Sequence, residues 1–352
     1  MGLKILHSAD WHMDSPFASF PGAQREFLKE QQMKIPGKIA KICRDQHCDL
    51  VLLAGDIFDG VWTGDGLDRV REALESCGVP VFIAPGNHDF VGPGSPWTEA
   101  VWPENVHIFK GGLISVSVPE LDCRVYGAGF TSMDCPGLLE GFRAEGEERY
   151  CVAVLHGDPT NPNSPCNPVT AAQVRNSGLD YLALGHIHKS GGIQAGSTLC
   201  AWPGCPMGRG WDETGEKGVA IVTVEETAHV KGVYLDTPRF YDLSVEIGEN
   251  PLEDLEKVLP AAPSRDFYRV TLTGSGRADS DRKAFRYLPN LTFRDQTRPP
   301  VDLWEDAGQD SLRGRYFDLL RQASRDGETR EAAVLAAKIS RRILEGREVK
   351  LP

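Results

Sequence analysis

The most restrictive feature of this sequence is a series of short apolar, β-branched runs, each ending at a turn that bears Gly, Asp or His. The runs are Leu3–Ala9, Leu50–Ala54, Val79–Ala84, Val106–Phe109, Arg124–Gly127, Cys151–Leu155, Tyr181–Leu184 and Val219–Val224. Apolar stretches this short, without polar alternation, suit strands buried on both faces, and such strands need helices to cover them. Between the early runs, Ile35, Ile39 and Ile42 recur at i, i+4 and i+7, and Leu67–Ser76 also reads as helix. Roughly the first 90 residues therefore spell β-α-β-α-β, a parallel sheet.

Beyond about residue 105 the runs crowd together, and from Gly192 to Ile247 they read as hairpins added to the parallel core. Pro251–Leu259 (helix), Phe267–Leu272 (strand), Ser280–Phe285 (helix) and Asn290–Phe293 (strand) describe a small β-α-β unit, after which Pro299–Pro300 punctuates the chain. Leu312, Tyr316, Leu319 and Ala323, then Leu335, Ile339 and Ile343, fall at helical spacing among Arg and Glu. These are amphipathic helices whose apolar stripe needs cover. The expectation is an α/β protein with a two-sheet domain over 1–238, a small α+β domain over 239–300 and amphipathic helices over 301–352.

Composition narrows the function classes. With 41% hydrophobic and 25% charged residues among 352, the chain is neither disordered, coiled-coil nor collagen-like. Its 38 Lys and Arg against 50 Asp and Glu give a net charge of −12, so a phosphate polymer would need cations or a partner subunit to be attracted. No run approaches the ~18 apolar residues of a membrane helix. The opening MGLKILHSADWH has no leader-like apolar stretch, which points to a cytoplasmic protein without membrane contact. The nine cysteines, odd in number and without CxxC, read as reduced thiols, and the sequon at Asn290 as silent.

Five polar clusters follow the runs in order: Asp10-x-His12, Gly55-Asp56-x-x-Asp59, Gly86-Asn87-His88-Asp89, His156-Gly157-Asp158 and Gly185-His186-x-His188. Singly, each has an ordinary explanation as a turn, an N-cap or a satisfied buried histidine. Together they converge, because sites in open α/β sheets are built at the carboxyl ends of the strands. The inventory of Asp10, His12, Asp56, Asn87, His156, His186 and His188, without thiolates, suits manganese, iron or zinc rather than a structural Cys site. Seven ligands suit two ions about 3.5–4 Å apart that share one carboxylate. Gly55, Gly86 and Gly185 each precede a ligand where the backbone needs positive φ or close packing.

This series resembles the calcineurin-like metallophosphoesterase superfamily. Within it, His156-Gly157-Asp158, Pro203-Gly204-Cys205-Pro206-Met207-Gly208-Arg209 and Glu213-Thr214-Gly215-Glu216-Lys217-Gly218 are similar to the SbcD and YhaO group of DNA-repair exonuclease subunits. The resemblance covers about residues 1–245 and implies a four-layer α-β-β-α core, with the C-terminal segment matching that group's small capping domain only in position. It implies that Asp10, His12, Asp56 and His188 hold one ion and Asp56, Asn87, His156 and His186 the other, Asp56 being the bridge. His88 is then no ligand; it stabilises phosphoryl oxygens or protonates the leaving oxygen, oriented by Asp89. Asp59 reads as a hydrogen-bond partner of a ligand or as a turn cap, Arg209 and Lys189 as candidate phosphate contacts, and His7, His47, His107 and His229 as structural.

The activity implied is hydrolysis of DNA phosphodiesters by a hydroxide activated between two metal ions, manganese first, in DNA repair. The implied partners are single- or double-stranded DNA ends and an SMC-like ATPase docking on the C-terminal helices, with a homodimer as a further option. Two other readings stand beside it: a phosphatase or phosphodiesterase of nucleotides and small phosphoesters, and a weakly catalytic scaffold subunit of an ATPase complex.

Overall fold

The computed structural model describes residues 2–276, 281–298 and 302–346; Ser280 and Pro299–Pro300 lie outside the described residues. One compact unit comprises Met1–Leu243, Ala262–Val270 and Tyr287–Thr292, and a second comprises Ser244–Ala261, Thr271–Arg286 and Phe293–Pro352. In chain order the elements begin β1 (Leu3–Ser8), α1 (Gly22–Gln32), α2 (Ile35–Asp45), β2 (Leu50–Leu53), α3 (Gly64–Ser76), β3 (Val81–Ile83), α4 (Pro96–Glu99) and β4 (Val106–Ile108). There follow β5 (Ile114–Val118), β6 (Cys123–Gly127), β7 (Tyr150–His156), α5 (Ala171–Asn176), β8 (Tyr181–Gly185), β9 (Gly191–Ala195), β10 (Thr198–Trp202), β11 (Gly218–Val224) and β12 (Ala228–Tyr234). The series closes with β13 (Phe240–Ile247), α6 (Pro251–Glu256), β14 (Phe267–Gly274), β15 (Leu291–Asp295), α7 (Leu312–Ala323) and α8 (Arg330–Leu344).

Two six-stranded sheets form the first unit, in the orders β12-β11-β1-β2-β3-β4 and β5-β6-β7-β8-β10-β9. Strands β1 to β4 run parallel, as do β6, β7, β8 and β10, while β11 with β12 and β9 with β10 are the antiparallel hairpins expected from the sequence. Period-two alternation divides each strand between two cores. Ile5, Leu50, Leu52 and Phe82 meet Val125, Val152, Val154 and Tyr181 of the other sheet, whereas Leu6, Val51, Leu53 and Ile83 pack with Ile35, Ile39, Val70 and Leu74 of α2 and α3. Leu155, Leu182 and Leu184 pack with Val174 of α5 and Leu179 beyond the second sheet. The molecule is a mixed α/β fold with two sheets flanked by helices, as the sequence predicts.

A third sheet has the order β13-β14-β15. In the second unit, Arg341 of α8 is buried, 3.1 Å from Glu305 and 3.4 Å from Asp306, with its guanidinium 5.6 Å over the Phe317 ring of α7. Leu312, Tyr316, Leu319, Leu335 and Ile343 of these helices are exposed. Among the described residues no helix is long and apolar enough to cross a membrane.

Register positions the site. Ser8 pairs with Leu53, Leu53 with Ile83, and His156 with Gly185, so the carboxyl ends of β1, β2 and β3 end level in one sheet and those of β7 and β8 in the other.

Candidate metal centre

The turns after these strands are tight. Asp10 donates its backbone N–H to the Gly55 carbonyl (3.0 Å), and His12 donates its own to Asp56 (2.9 Å). Gln32 of α1 donates its amide to the His12 carbonyl at 2.7 Å. Asp10, His12, Asp56 and His186 all have positive φ (55, 46, 51 and 92°), a region that costs a non-glycine residue energy and is kept where the surroundings enforce it. Gly55 has φ +86°, and a Cβ there would lie 2.6 Å from Nδ1 of His156. Gly86 and Gly185 are required by packing instead. Cβ atoms there would overlap the Asp56 carboxylate and the Ala54 carbonyl, respectively.

The side chains then converge. Oδ2 of Asp56 lies 3.7 Å from Nε2 of His12 and 3.5 Å from Nε2 of His156, while its Oδ1 accepts the backbone N–H of His88 (2.9 Å). Nδ1 of His156 donates to the Ala54 carbonyl (2.8 Å), so the lone pair of the neutral ring is on Nε2, 2.9 Å from Oδ1 of Asn87. Nδ1 of His12 is held by Asp59 (3.0 Å) and Nδ1 of His188 by Glu213 (2.6 Å), which aims two further Nε2 lone pairs at each other across 3.2 Å. Asp10 accepts the His186 backbone N–H on Oδ1 (3.0 Å), whereas its buried Oδ2 has no hydrogen-bond partner among the described residues. The ring of His186 stands edge-on to that of His156 at 5.2 Å, with Nε2 3.9 Å from Oδ2 of Asp158.

Ligand atoms of Asp10, His12 and His188 lie within 4.8 Å of one another, as do those of Asp10, Asp56 and His156, and those of His12, Asp56 and His88. Electron-pair donors facing one another in a buried space are costly without a positive charge between them. The nitrogen and oxygen set fits divalent cations.

Asp59 holds His12, as the sequence suggests, but it also takes the part beside His88 that the sequence gives to Asp89. Asp89, expected to orient His88, does not reach it. It is buried with Oδ2 accepting the N–H groups of Ile57 (2.7 Å) and Phe58 (3.2 Å) and Oδ1 that of Gly86 (2.8 Å), tying the second and third loops together. Burial, and then the charge of Asp56, push its pKa up to about 7. The carboxylate that meets Nδ1 of His88 is Asp59, at 3.2 Å, and this hydrogen bond raises the pKa of His88. Arg209 is drawn into the same group, its guanidinium 3.5 Å from Asp59 and 3.2 Å from Glu213. Sequence reasoning assigns Glu213 no role. Burial alone pushes its pKa up, but the bond to His188 and the charge of Arg209 hold it at about 2. Among the described residues, Lys189 has no hydrogen bond or ion pair that joins it to this group.

The family model of the calcineurin-like phosphoesterases matches residues 3–190, more than half of the chain and all five polar clusters that follow the strands. The chain belongs to the calcineurin-like phosphoesterase family. Among curated relatives of this family it is 32% identical over 244 residues to the uncharacterized metallophosphoesterase YhaO of Bacillus subtilis, covering 63% of this chain and 57% of that one. It is 25% identical over 264 residues to the SbcD component of the SbcCD nuclease from the same organism, covering 62% and 66% respectively. The chain thus spans less than two thirds of either relative. Among solved structures, a dimetal phosphatase from Danio rerio covers 65% of this chain and 95% of its own length at a TM-score of 0.45 and 14% identity.

Proposed function

We propose that the chain is a two-metal phosphodiesterase acting on DNA, an SbcD-like nuclease subunit. The observation that carries the reading is the convergence of five electron-pair donor atoms, Oδ2 of Asp10 (buried and without a hydrogen-bond partner among the described residues), Oδ2 of Asp56 and Nε2 of His12, His156 and His188, in overlapping groups at one place. In it, Asp10, His12, Asp56 and His188 hold one cation, and Asp56, Asn87, His156 and His186 the other. Manganese is the metal proposed, with iron and zinc compatible with the same donors.

Cations bound there neutralise phosphoryl oxygens and supply ionised water near neutral pH. The protein does the rest. Asp59 and Glu213 hold Nδ1–H of His12 and His188 and so fix which nitrogen faces the site. His88, half exposed at the rim with its Nδ1 on Asp59, is the proton donor to the leaving oxygen. Asp89 keeps the two ligand loops in register. DNA is favoured among phosphoesters by the likeness to the SbcCD nuclease component and by the Pro-Gly-x-Pro and Glu-Thr-Gly-Glu-Lys-Gly segments. The exposed apolar residues of α7 and α8 are the surface proposed for an SMC-like ATPase, and the cytoplasm is the proposed location.

The test is digestion of end-labelled single- and double-stranded DNA with manganese, with and without chelator, beside bis-p-nitrophenyl phosphate. Metal-dependent cleavage of DNA is expected. Hydrolysis of the generic diester alone moves the substrate to small phosphoesters, and hydrolysis of neither overturns the reading.

A further inference from the structure

The loops that carry Asp56, Asp59, Asn87 and His88 continue past these residues and form a cavity of about 130 Å³ that His88 also lines. Its walls are Phe58, Trp62 and Phe90, with Pro93 and Pro96 and the backbone of Gly92 to Ser95. The floor is rigid. Phe58 is buried edge-on against Trp97 (5.7 Å), Trp97 stacks on Trp102 (5.1 Å), and the Trp97 indole N–H is bonded to the Asp89 carbonyl. Trp62 is fixed across the cavity by its indole N–H, which donates to the Gly94 carbonyl at 3.0 Å.

Several polar groups of this wall are already engaged. The N–H of Gly92 goes to Ser95 and that of Gly94 to Glu99, while the Gly92 carbonyl accepts from Thr98. What the cavity offers is aromatic and proline surface beside the residue proposed to protonate a leaving oxygen.

Resting on the phosphodiesterase reading, we propose that this cavity is a nucleobase subsite, which takes the base flanking the scissile phosphate by stacking on Trp62 and Phe90. A phosphate held at the metal centre carries its nucleoside a few ångströms away, and His88, which belongs to that centre, lines the same cavity as Trp62 and Phe90. Stacking engages the π-face that every base has and does not read sequence, so the subsite accepts all four bases.

The experiment compares thymidine 3′-(methyl phosphate) with 1,2-dideoxyribose 3-(methyl phosphate), which share the sugar leaving oxygen and differ by the base. The ratio of their kcat/KM values is expected to favour the nucleoside ester, to fall about fivefold or more in Trp62→Ala through KM, and to be kept in Trp62→Phe. A ratio is insensitive to a partial loss of folded enzyme. Calorimetric binding of thymidine 5′-phosphate against deoxyribose 5-phosphate provides a second reading without turnover; the base is expected to add affinity that Trp62→Ala removes. An unchanged ratio in Trp62→Ala, or equal binding of the two phosphates, overturns the subsite while leaving the phosphodiesterase reading intact. Hydrolysis of neither ester by the wild type overturns both.

Discussion

Oε1 of Glu213 lies 2.6 Å from Nδ1 of His188, and Oε2 of the same carboxylate accepts the backbone N–H of Arg209, also at 2.6 Å. The buried carboxylate thus fixes the tautomer of His188, proposed above as a metal ligand, and anchors the segment that delivers Arg209. Partners that orient a ligating histidine in this way typically matter about 10–100-fold to metal affinity. Glu213→Gln keeps an acceptor but loses the charge that sharpens the imidazole as a donor. Manganese binding by titration calorimetry is expected to weaken about tenfold in Glu213→Gln and further in Glu213→Ala; unchanged affinity in both would remove Glu213 from the centre.

On the proposed reading, His88 separates catalysis from binding. It is the most exposed of the histidines in this group, and its Nδ1 is committed to Asp59, yet its ring stands edge-on to His12 at 4.8 Å. His88→Ala is expected to bind two manganese ions per chain while kcat falls roughly 10²–10⁴-fold, the usual contribution of a positioned acid. Should the variant bind only one ion, the grouping of His12, Asp56 and His88 is a ligand set, and the proton donor must be sought elsewhere.

Much of this centre is legible in the sequence because parallel strands end level, so short polar motifs after successive apolar runs must meet. The partners that hold the ligands are less legible. Glu213 lies 25 residues beyond His188, at no period that links them. Asp89 follows His88 directly and suggests itself as its partner, but it faces the interior and serves three backbone N–H groups, while Asp59 reaches His88 from the preceding loop. Helix α1 goes unmarked by apolar periodicity. Its inner face buries Leu28 beside Gln31 and Gln32, and Gln32 packs through hydrogen bonds to the backbone of Trp11 and His12.

Metal should stabilise the fold. Without cations, Asp10 and Asp56 are buried near each other with facing imidazole lone pairs, a cost that bound ions convert into a gain. Anything that binds only the native state adds RT ln(1 + [L]/Kd), about 2.7 kcal/mol at a hundredfold excess over Kd. Manganese is expected to raise the melting temperature of wild type and chelator to lower it. Asp56→Asn, which removes the carboxylate between the two clusters, should lose most of the response in the same thermal scan.

Gly185 tests the close approach of the two sheets. A Cβ there would overlap the Ala54 carbonyl oxygen and come within 2.8 Å of the Ala9 side chain, and neither can yield without shifting a strand end. Gly185→Ala is expected to destabilise by about 1–3 kcal/mol in urea unfolding, as overpacking does. Gly22→Ala, at the open start of α1 with nothing within 4 Å, should instead be neutral or slightly stabilising. Equal midpoints for the two variants would mean that the sheets can part without cost.

His7 sets part of the acid limit of stability. It alternates with Ile5 and Ala9 on the face of β1 that meets the second sheet, fully buried, with Nδ1 2.7 Å from the Tyr181 hydroxyl. Burial lowers its pKa to about 3. The unfolded chain takes up a proton at this position below roughly pH 6.5, whereas the folded chain does not until far lower. Over that window the unfolded state therefore binds more protons, so stability rises with pH: the contribution is fully present above about 6.5 and declines as pH falls, by about 1 kcal/mol per unit. His7→Gln removes the titrating ring but leaves Tyr181 a polar neighbour. In urea unfolding of chelator-treated protein between pH 7 and 4.5, the variant is expected to show a shallower loss of stability than wild type. Parallel slopes would show that His7 takes up its proton without unfolding the chain.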